Sequence, residues 1–232
     1  MAVAIITGAS RGLGRALAGA LAARGWDLVL DGRDAGRLKE AADALSVHGT
    51  RVSALAGDVT DARHRAELVA AAWRLGGVDL LVNNAGILGV EPLVPLEEHP
   101  LEAFRAALET NVVAPLGLVQ EALPLLRQAA AGAVLNVSSD AAVEAYRTWG
   151  GYGATKAALD QLSAVLAVEE PGLRVWWVDP GGMRTDMLAA AEPDEDLSGT
   201  PEPEDVAPVL LRLMDERPPS GRYSAPALLG SR

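Results

Sequence analysis

Short, almost uninterrupted apolar runs alternate with longer alanine- and leucine-rich stretches along this chain, and that alternation narrows its accessible folds more than anything else. VAIIT (3–7), DLVL (27–30), RVSALA (51–56), VDLLVN (78–83), AVLNVS (133–138) and RVWWV (174–178) read as strands, with GRYSA (221–225) as a short last one. A strand with one solvated face alternates apolar and polar residues. These do not, so both faces of each must be buried. Helical patterns lie between them at about 12–24, 34–47, 61–75, 100–130, 151–170 and 204–216. Asp34 and Asp61 stand where N-caps belong for the second and third helices. Such alternation implies right-handed crossovers, and hence an α/β fold: a doubly wound parallel sheet of about seven strands with helices on both faces. No break in composition divides the chain, so residues 1–232 are expected to form one domain. The acidic, proline-containing segment 189–205 reads as a surface loop or lid, at about 186–203, leading into the last helix.

Charge and composition exclude several functions. The formal net charge of -11 argues against nucleic acid or an anionic membrane as partner. The absence of cysteine rules out disulfides, thiolate metal sites and cysteine nucleophiles. His48, His64 and His99 have no ligand spacing, so no metal is expected. No apolar run reaches transmembrane length, and the first residues lack the basic segment of a signal peptide. The expected compartment is the cytoplasm.

The stretch TGASRGLG (7–14) sits where the first strand ends and the first helix begins. Each glycine there costs roughly 1 kcal/mol against alanine, so Gly8, Gly12 and Gly14 need a compensating purpose. A tight strand-to-helix turn needs their dihedrals. A pyrophosphate approaching the backbone needs the missing Cβ, and the helix N-terminus then offers free N–H groups and partial positive charge.

With that spacing, T-G-x-x-x-G-x-G, the chain resembles the short-chain dehydrogenase/reductase family, and the resemblance runs through nearly all of it. GDVTD (57–61) looks like the family's adenine-contacting segment and NNAG (83–86) like the motif closing strand four beside the cofactor. Asn111 in TN (110–111) matches the family's helix-four asparagine. NVSS (136–139) followed by YGATK (152–156) matches its serine and Y-x-x-x-K pair, and DPGGMRTDM (179–187) its P-G turn and nicotinamide-side threonine. The resemblance implies a single NAD(P)-binding Rossmann domain. Its cofactor contacts would come from Gly8, Ser10, Arg11, Gly12, Leu13 and Gly14 in the first loop, with Arg33, Asp58 and Val59 beyond it. Asn83, Ala85 and Gly86 would follow strand four; Tyr152 and Lys156 lie on the later helix, and Pro180, Gly181, Met183 and Thr185 after strand six.

Tyr152 and Lys156 are four apart at the start of a helical run and therefore share a face. A free tyrosine ionises near pH 10, and a neighbouring ammonium is expected to lower that value. In the family the lysine also holds the nicotinamide ribose. Ser139, thirteen residues before Tyr152, has the family's spacing for the hydroxyl that binds the substrate oxygen. Ser138 is expected to spend its bonds on the strand end. Asn111 lies four residues before Pro115, which would free its carbonyl and distort the helix. In the family this asparagine orders a water that relays protons to the lysine.

Cofactor choice rests on LDGRD (30–34). By resemblance Gly32 takes the ribose position, and Arg33 with Arg11 would face a 2′-phosphate, which favours NADP(H). A register shifted by one would put Asp31 on the ribose and favour NAD(H) instead. Tyr146 and Trp149 could wall the substrate site or cover the sheet edge. Trp176 and Trp177 should point to opposite faces of a strand as core, and the acidic run 192–196 reads as a solvated loop. The function expected is an NADP(H)-dependent reductase interconverting a small-molecule carbonyl (ketone or aldehyde) and an alcohol. Tyr152 would serve as general acid/base, Ser139 on the oxyanion, and Lys156 and Asn111 in the relay. The alternatives are a non-catalytic nucleotide sensor or scaffold on the same fold, and an NAD-dependent alcohol dehydrogenase. Dehydratase- and epimerase-type relatives are usually longer. Many family members dimerise through helices corresponding to 100–130 and 151–170, so a homodimer is expected.

Overall fold

A computed structural model describes residues 1–230. Seven strands, β1 (Val3–Ile6), β2 (Asp27–Gly32), β3 (Val52–Ala56), β4 (Leu80–Asn83), β5 (Ala133–Val137), β6 (Arg174–Asp179) and β7 (Gly221–Ser224), form one sheet. Its order is β3-β2-β1-β4-β5-β6-β7, and every neighbouring pair is parallel. The helices are α1 (Gly12–Ala22), α2 (Ala35–Ala44), α3 (Ala62–Leu75), α4 (Leu101–Leu108) and α5 (Ala114–Leu126). They continue with α6 (Gly150–Glu169), α7 (Asp186–Ala191), α8 (Pro203–Glu216) and α9 (Ala225–Gly230). This is the expected doubly wound α/β sheet.

The apolar runs are unbroken because each strand feeds two cores. Ala4, Ile6, Leu28, Leu30 and Leu135 pack with α1, α2 and α8. Val3, Ile5, Val29, Leu81 and Val134 pack on the opposite face with α3, α5 and α6. Trp176 and Trp177 follow the same alternation, one joining each core. Asp34 and Asp61 do cap α2 and α3, through bonds from the N–H groups of Arg37 and Arg63.

The helical run expected over 100–130 is not one helix. Pro115 has no N–H to give the carbonyl of Asn111, and a π-helical turn at Glu109–Val113 separates α4 from α5. The amide of Ala114 instead reaches back five residues to Glu109. The segment 186–203 is not wholly loop either, since Thr185 caps the short helix α7 within it. Among the described residues no helix is long and apolar enough to cross a membrane. The strand order reverses between β1 and β4, which opens a crevice at their C-terminal ends.

Candidate active site

Gly8 and Gly12 turn the chain from β1 into α1 with φ of +64° and +54°, a region that other residues rarely occupy. Gly14 meets a second demand. A Cβ there would stand 2.4 Å from the carbonyl oxygen of Gly8, so the helix lies flush on its own loop. The loop is then tied to β4. Thr7 Oγ1 accepts from the amides of Asn84 and Ala85, both at 3.0 Å, and Asn84 Nδ2 donates to the carbonyl of Thr7 at 2.9 Å. Arg11 precedes α1 without a side-chain cap, and no acidic residue stands in the helix's first turn. The free N–H groups and the positive end of the dipole therefore remain available to a ligand.

That helix end opens onto a cavity of about 1070 Å³ at the C-terminal ends of the strands. Ser10, Arg11, Gly12 and Leu13 line it from the loop, with Gly8 beneath them. Arg33, Asp58 and Val59 line the β2–β3 side, and Ala85 and Gly86 the end of β4. Ser139, Tyr152 and Lys156 form the wall near β5, and Pro180, Gly181, Met183 and Thr185 the wall after β6. Two of the expected contacts lie elsewhere. Asn83 is buried and donates to Asn136 at 2.8 Å on the neighbouring strand, while Asn84 lines the cavity. The alternating direction of strand side chains decides between two adjacent asparagines. Gly14 supports the loop from below rather than lining it.

Lys156 is buried, and its Nζ donates to the carbonyl of Val137 at 2.8 Å while lying 5.6 Å from the centre of the Tyr152 ring. Burial pushes the lysine down to about 8, against the opposing charge of Asp160. The expectation of an acidified Tyr152 is overturned. Burial of the phenol, then the charges of Asp140 and Asp179, raise it above its ordinary value. Taking a phenolate out of water, and placing it near carboxylates, disfavours its charged form. Trp149 packs edge-on to the Tyr152 ring at 5.7 Å, and Tyr146 and Trp149 both line the cavity.

Asn111 sits in the π turn and is 1 % exposed. It accepts from the amide of Ile87 and donates to the carbonyl of Ile87 and the hydroxyl of Thr155, each at 2.9 Å. A Cβ on Gly86 would lie 3.3 Å from Asn111 Oδ1 and 3.6 Å from Lys156 Nζ, so the amide and the ammonium flank one spot.

The two serines after β5 divide their tasks. Ser138 bonds through its amide to Val178, as a strand end should, but its hydroxyl goes to Asp160 on α6. Ser139 Oγ instead caps the turn Asp140–Ala142 and donates to Asp140 Oδ1 at 3.0 Å. Arg222 on β7 holds this corner, donating to Asp160 and to the carbonyl of Ser139. Nothing local announces Arg222, which is 62 residues from Asp160.

At the far end, Arg33 is exposed and lends its charge to Asp58, whose carboxyl is held low first by the amide of Thr60. Arg11 pairs with Asp186 at the start of α7. Asp31 lines the cavity but is 2 % exposed, with its carboxylate engaged by the amide of Gly8 and by His64. The acidic run is more than solvated loop: Glu192, Glu195 and Asp196 stand on the cavity's rim.

Comparison with known proteins agrees with this fold. The short chain dehydrogenase family matches residues 2–196. The uncharacterized oxidoreductase YciK of Escherichia coli K12 is 33% identical over 222 residues, 92% of this chain and 86% of that protein. Among solved structures, one described as a short chain dehydrogenase from Shigella flexneri complexed with NADP has 30% identity and a TM-score of 0.90, over 97% of each chain. An alcohol dehydrogenase from the archaeon Thermococcus sibiricus, complexed with 5-hydroxy-NADP, has 30% identity and a TM-score of 0.87, over 97% of this chain and 95% of that one.

Proposed function

The chain belongs to the short-chain dehydrogenase family and is an oxidoreductase, and from that premise we propose that it interconverts a carbonyl and an alcohol with NADP(H). The supporting observation is the buried pair of Tyr152 and Lys156 on the same cavity wall as Ser139, facing a helix with no acidic residue in its first turn. The residues present fit a nicotinamide dinucleotide. A cradle without Cβ atoms and uncapped helix amides suit a pyrophosphate, and the cavity exceeds the size of most single-ligand pockets. Arg33 would meet a 2′-phosphate, in keeping with the NADP named for the Shigella structure and the 5-hydroxy-NADP named for the Thermococcus one. The bound dinucleotide supplies a hydride to the carbonyl carbon, or accepts one.

The remaining work falls to side chains of this protein. Ser139 donates to the substrate oxygen as negative charge gathers there. Tyr152, protonated at neutral pH as any phenol of ordinary acidity is, donates the proton in reduction. Lys156 resupplies it, and Asn111 holds the spot beside Gly86 through which the next proton arrives. Leu88, Trp149 and Met187 give the substrate end an apolar lining. The segment 186–203 serves as its lid.

Tyr152→Phe tests the assignment. NADPH titration by nicotinamide fluorescence should be nearly unchanged, while reduction of a carbonyl panel falls by about 10²-fold or more. Full activity in that variant would remove the tyrosine from the mechanism. Tight NADPH binding by a wild-type protein that turns over no carbonyl or alcohol would favour the sensor or scaffold instead.

A further inference from the structure

A carboxylate at the end of the second strand of such a sheet ordinarily holds the ribose 2′-hydroxyl of NAD and repels the 2′-phosphate of NADP. By resemblance Gly32, the last residue of β2, takes that position, and Asp31 is the carboxylate immediately before it on the strand. Asp31 lies on the cavity lining, yet is only 2% exposed. Its Oδ2 accepts from the amide of Gly8 at 3.2 Å, and its Oδ1 lies 2.6 Å from Nε2 of His64, a residue of the first turn of α3.

The neighbourhood is built to accept that imidazole. His64's side chain is 7% exposed, and a Cβ at Gly57 would stand 2.3 Å from its Nδ1, so only glycine leaves room for the ring. On the cavity side, Arg33 is exposed and has no ion pair or hydrogen bond among the described residues. The strand end thus carries a buried carboxylate and an exposed guanidinium, side by side.

We propose that His64 sets the choice of dinucleotide: by holding Asp31 beneath the glycine loop, it takes a carboxylate away from the ribose site and leaves that site to Arg33. The inference rests on the nicotinamide-dinucleotide reading above and adds a positioning residue to it. Burial already disfavours the charged form of Asp31, and His64 and Gly8 oppose that cost. Without the imidazole, the carboxylate lowers its energy by swinging into the wet cavity. There it would accept from the 2′-hydroxyl of NADH and repel the phosphate of NADPH.

The test is a titration of the full chain with NADPH and with NADH separately, read as the ratio Kd(NADH)/Kd(NADPH). His64→Leu should lower this ratio by about tenfold, a change of roughly 1.4 kcal/mol. The double variant Asp31→Asn/His64→Leu should return it to within about threefold of wild type, because the repelling charge is gone. Gly57→Ala, which drives a Cβ into the imidazole without removing it, should lower the ratio in the same direction and serves if His64→Leu does not fold. Equal weakening of both cofactors, an unmoved ratio, or no recovery in the double variant would each overturn the proposal, since a merely space-filling histidine gives those results. A wild-type protein that prefers NADH defeats the NADP assignment, yet leaves the inference to be judged on how the ratio moves. A wild-type protein that binds neither dinucleotide defeats both.

Discussion

The two ends of the cavity are held by different means. At the β1–α1 end the walls approach through backbone. Gly14 lies too close to Gly8 for any side chain to intervene, and Thr7 and Asn84 tie the loop to the end of β4 by bonds that each pair an uncharged side chain with a main-chain group. At the β5–α6 end the walls are joined by buried or half-buried side chains. Lys156 reaches Val137, Asp160 takes bonds from Ser138 and Arg222, and Arg222 extends to Ser139. None of these groups titrates in the ordinary pH range, so steric change is what breaks their contacts. The side chains at the other end carry charge out of water, which makes them responsive to pH and to the loss of a single atom. Under the proposed function, one end would give shape to a dinucleotide and the other would supply protons to the reaction.

The sharpest way to break this division is to add one side chain to the backbone end. Gly14→Val forces atoms into a 2.4 Å gap against the Gly8 carbonyl. NADPH binding should weaken by about a hundredfold or more, as overpacking of a close contact costs on the order of 1–3 kcal/mol and displaces the loop as well. Fluorescence titration checks this, with a thermal melt to confirm folding. Ordinary affinity would mean that the cradle tolerates a Cβ and is not what holds the ligand.

The complementary change at the charged end is Lys156→Met. Turnover should fall by about 10²-fold or more, but stability should move the other way. The folded lysine titrates at about 8 instead of 10.5. Below about pH 8 both states bind the proton and burying the ammonium costs roughly 3 kcal/mol. Between about 8 and 10.5 the unfolded chain holds the proton more tightly, so wild-type stability rises with pH across that window. Lys156→Met should therefore melt higher than wild type at pH 7, with the advantage gone by about pH 10.5. A lower midpoint at pH 7 would show that the bond to Val137 outweighs the desolvation.

The smallest effect should come from a position outside both ends. Asp34→Ala removes the N-cap of α2 and should cost about 1 kcal/mol in a urea titration, leaving kcat and KM unchanged. A change in kcat would mean that α2 takes part in aligning the cavity.

Most of the architecture was legible because its signals are local. Unbroken apolar runs announced strands buried on both faces, and Asp34 and Asp61 marked helix starts that the structure reproduces. Pro115 marked a break near Asn111, although the break takes the form of a π turn that splits the helix. The motif residues of the cavity were legible by resemblance, but adjacent ones were not separable. NNAG does not say which asparagine faces the crevice, and the direction of β4's side chains decides for Asn84. The short helix α7 was hidden in an acidic, proline-containing segment whose composition resembles loop.

By itself the sequence determined the fold class, the position of the glycine turn and the spacing of Ser139, Tyr152 and Lys156. These depend on residue periodicity and on short-range geometry that any chain of this pattern must satisfy. Only the tertiary structure decided that Asp31 pairs with His64, that Arg222 braces Ser139, and that Tyr152 is made less acidic rather than more. Asp31 and His64 are 33 positions apart and Arg222 and Ser139 are 83. A charge's partner and its exposure to water are properties of the packed interior, which brings together residues that the order of the chain keeps apart.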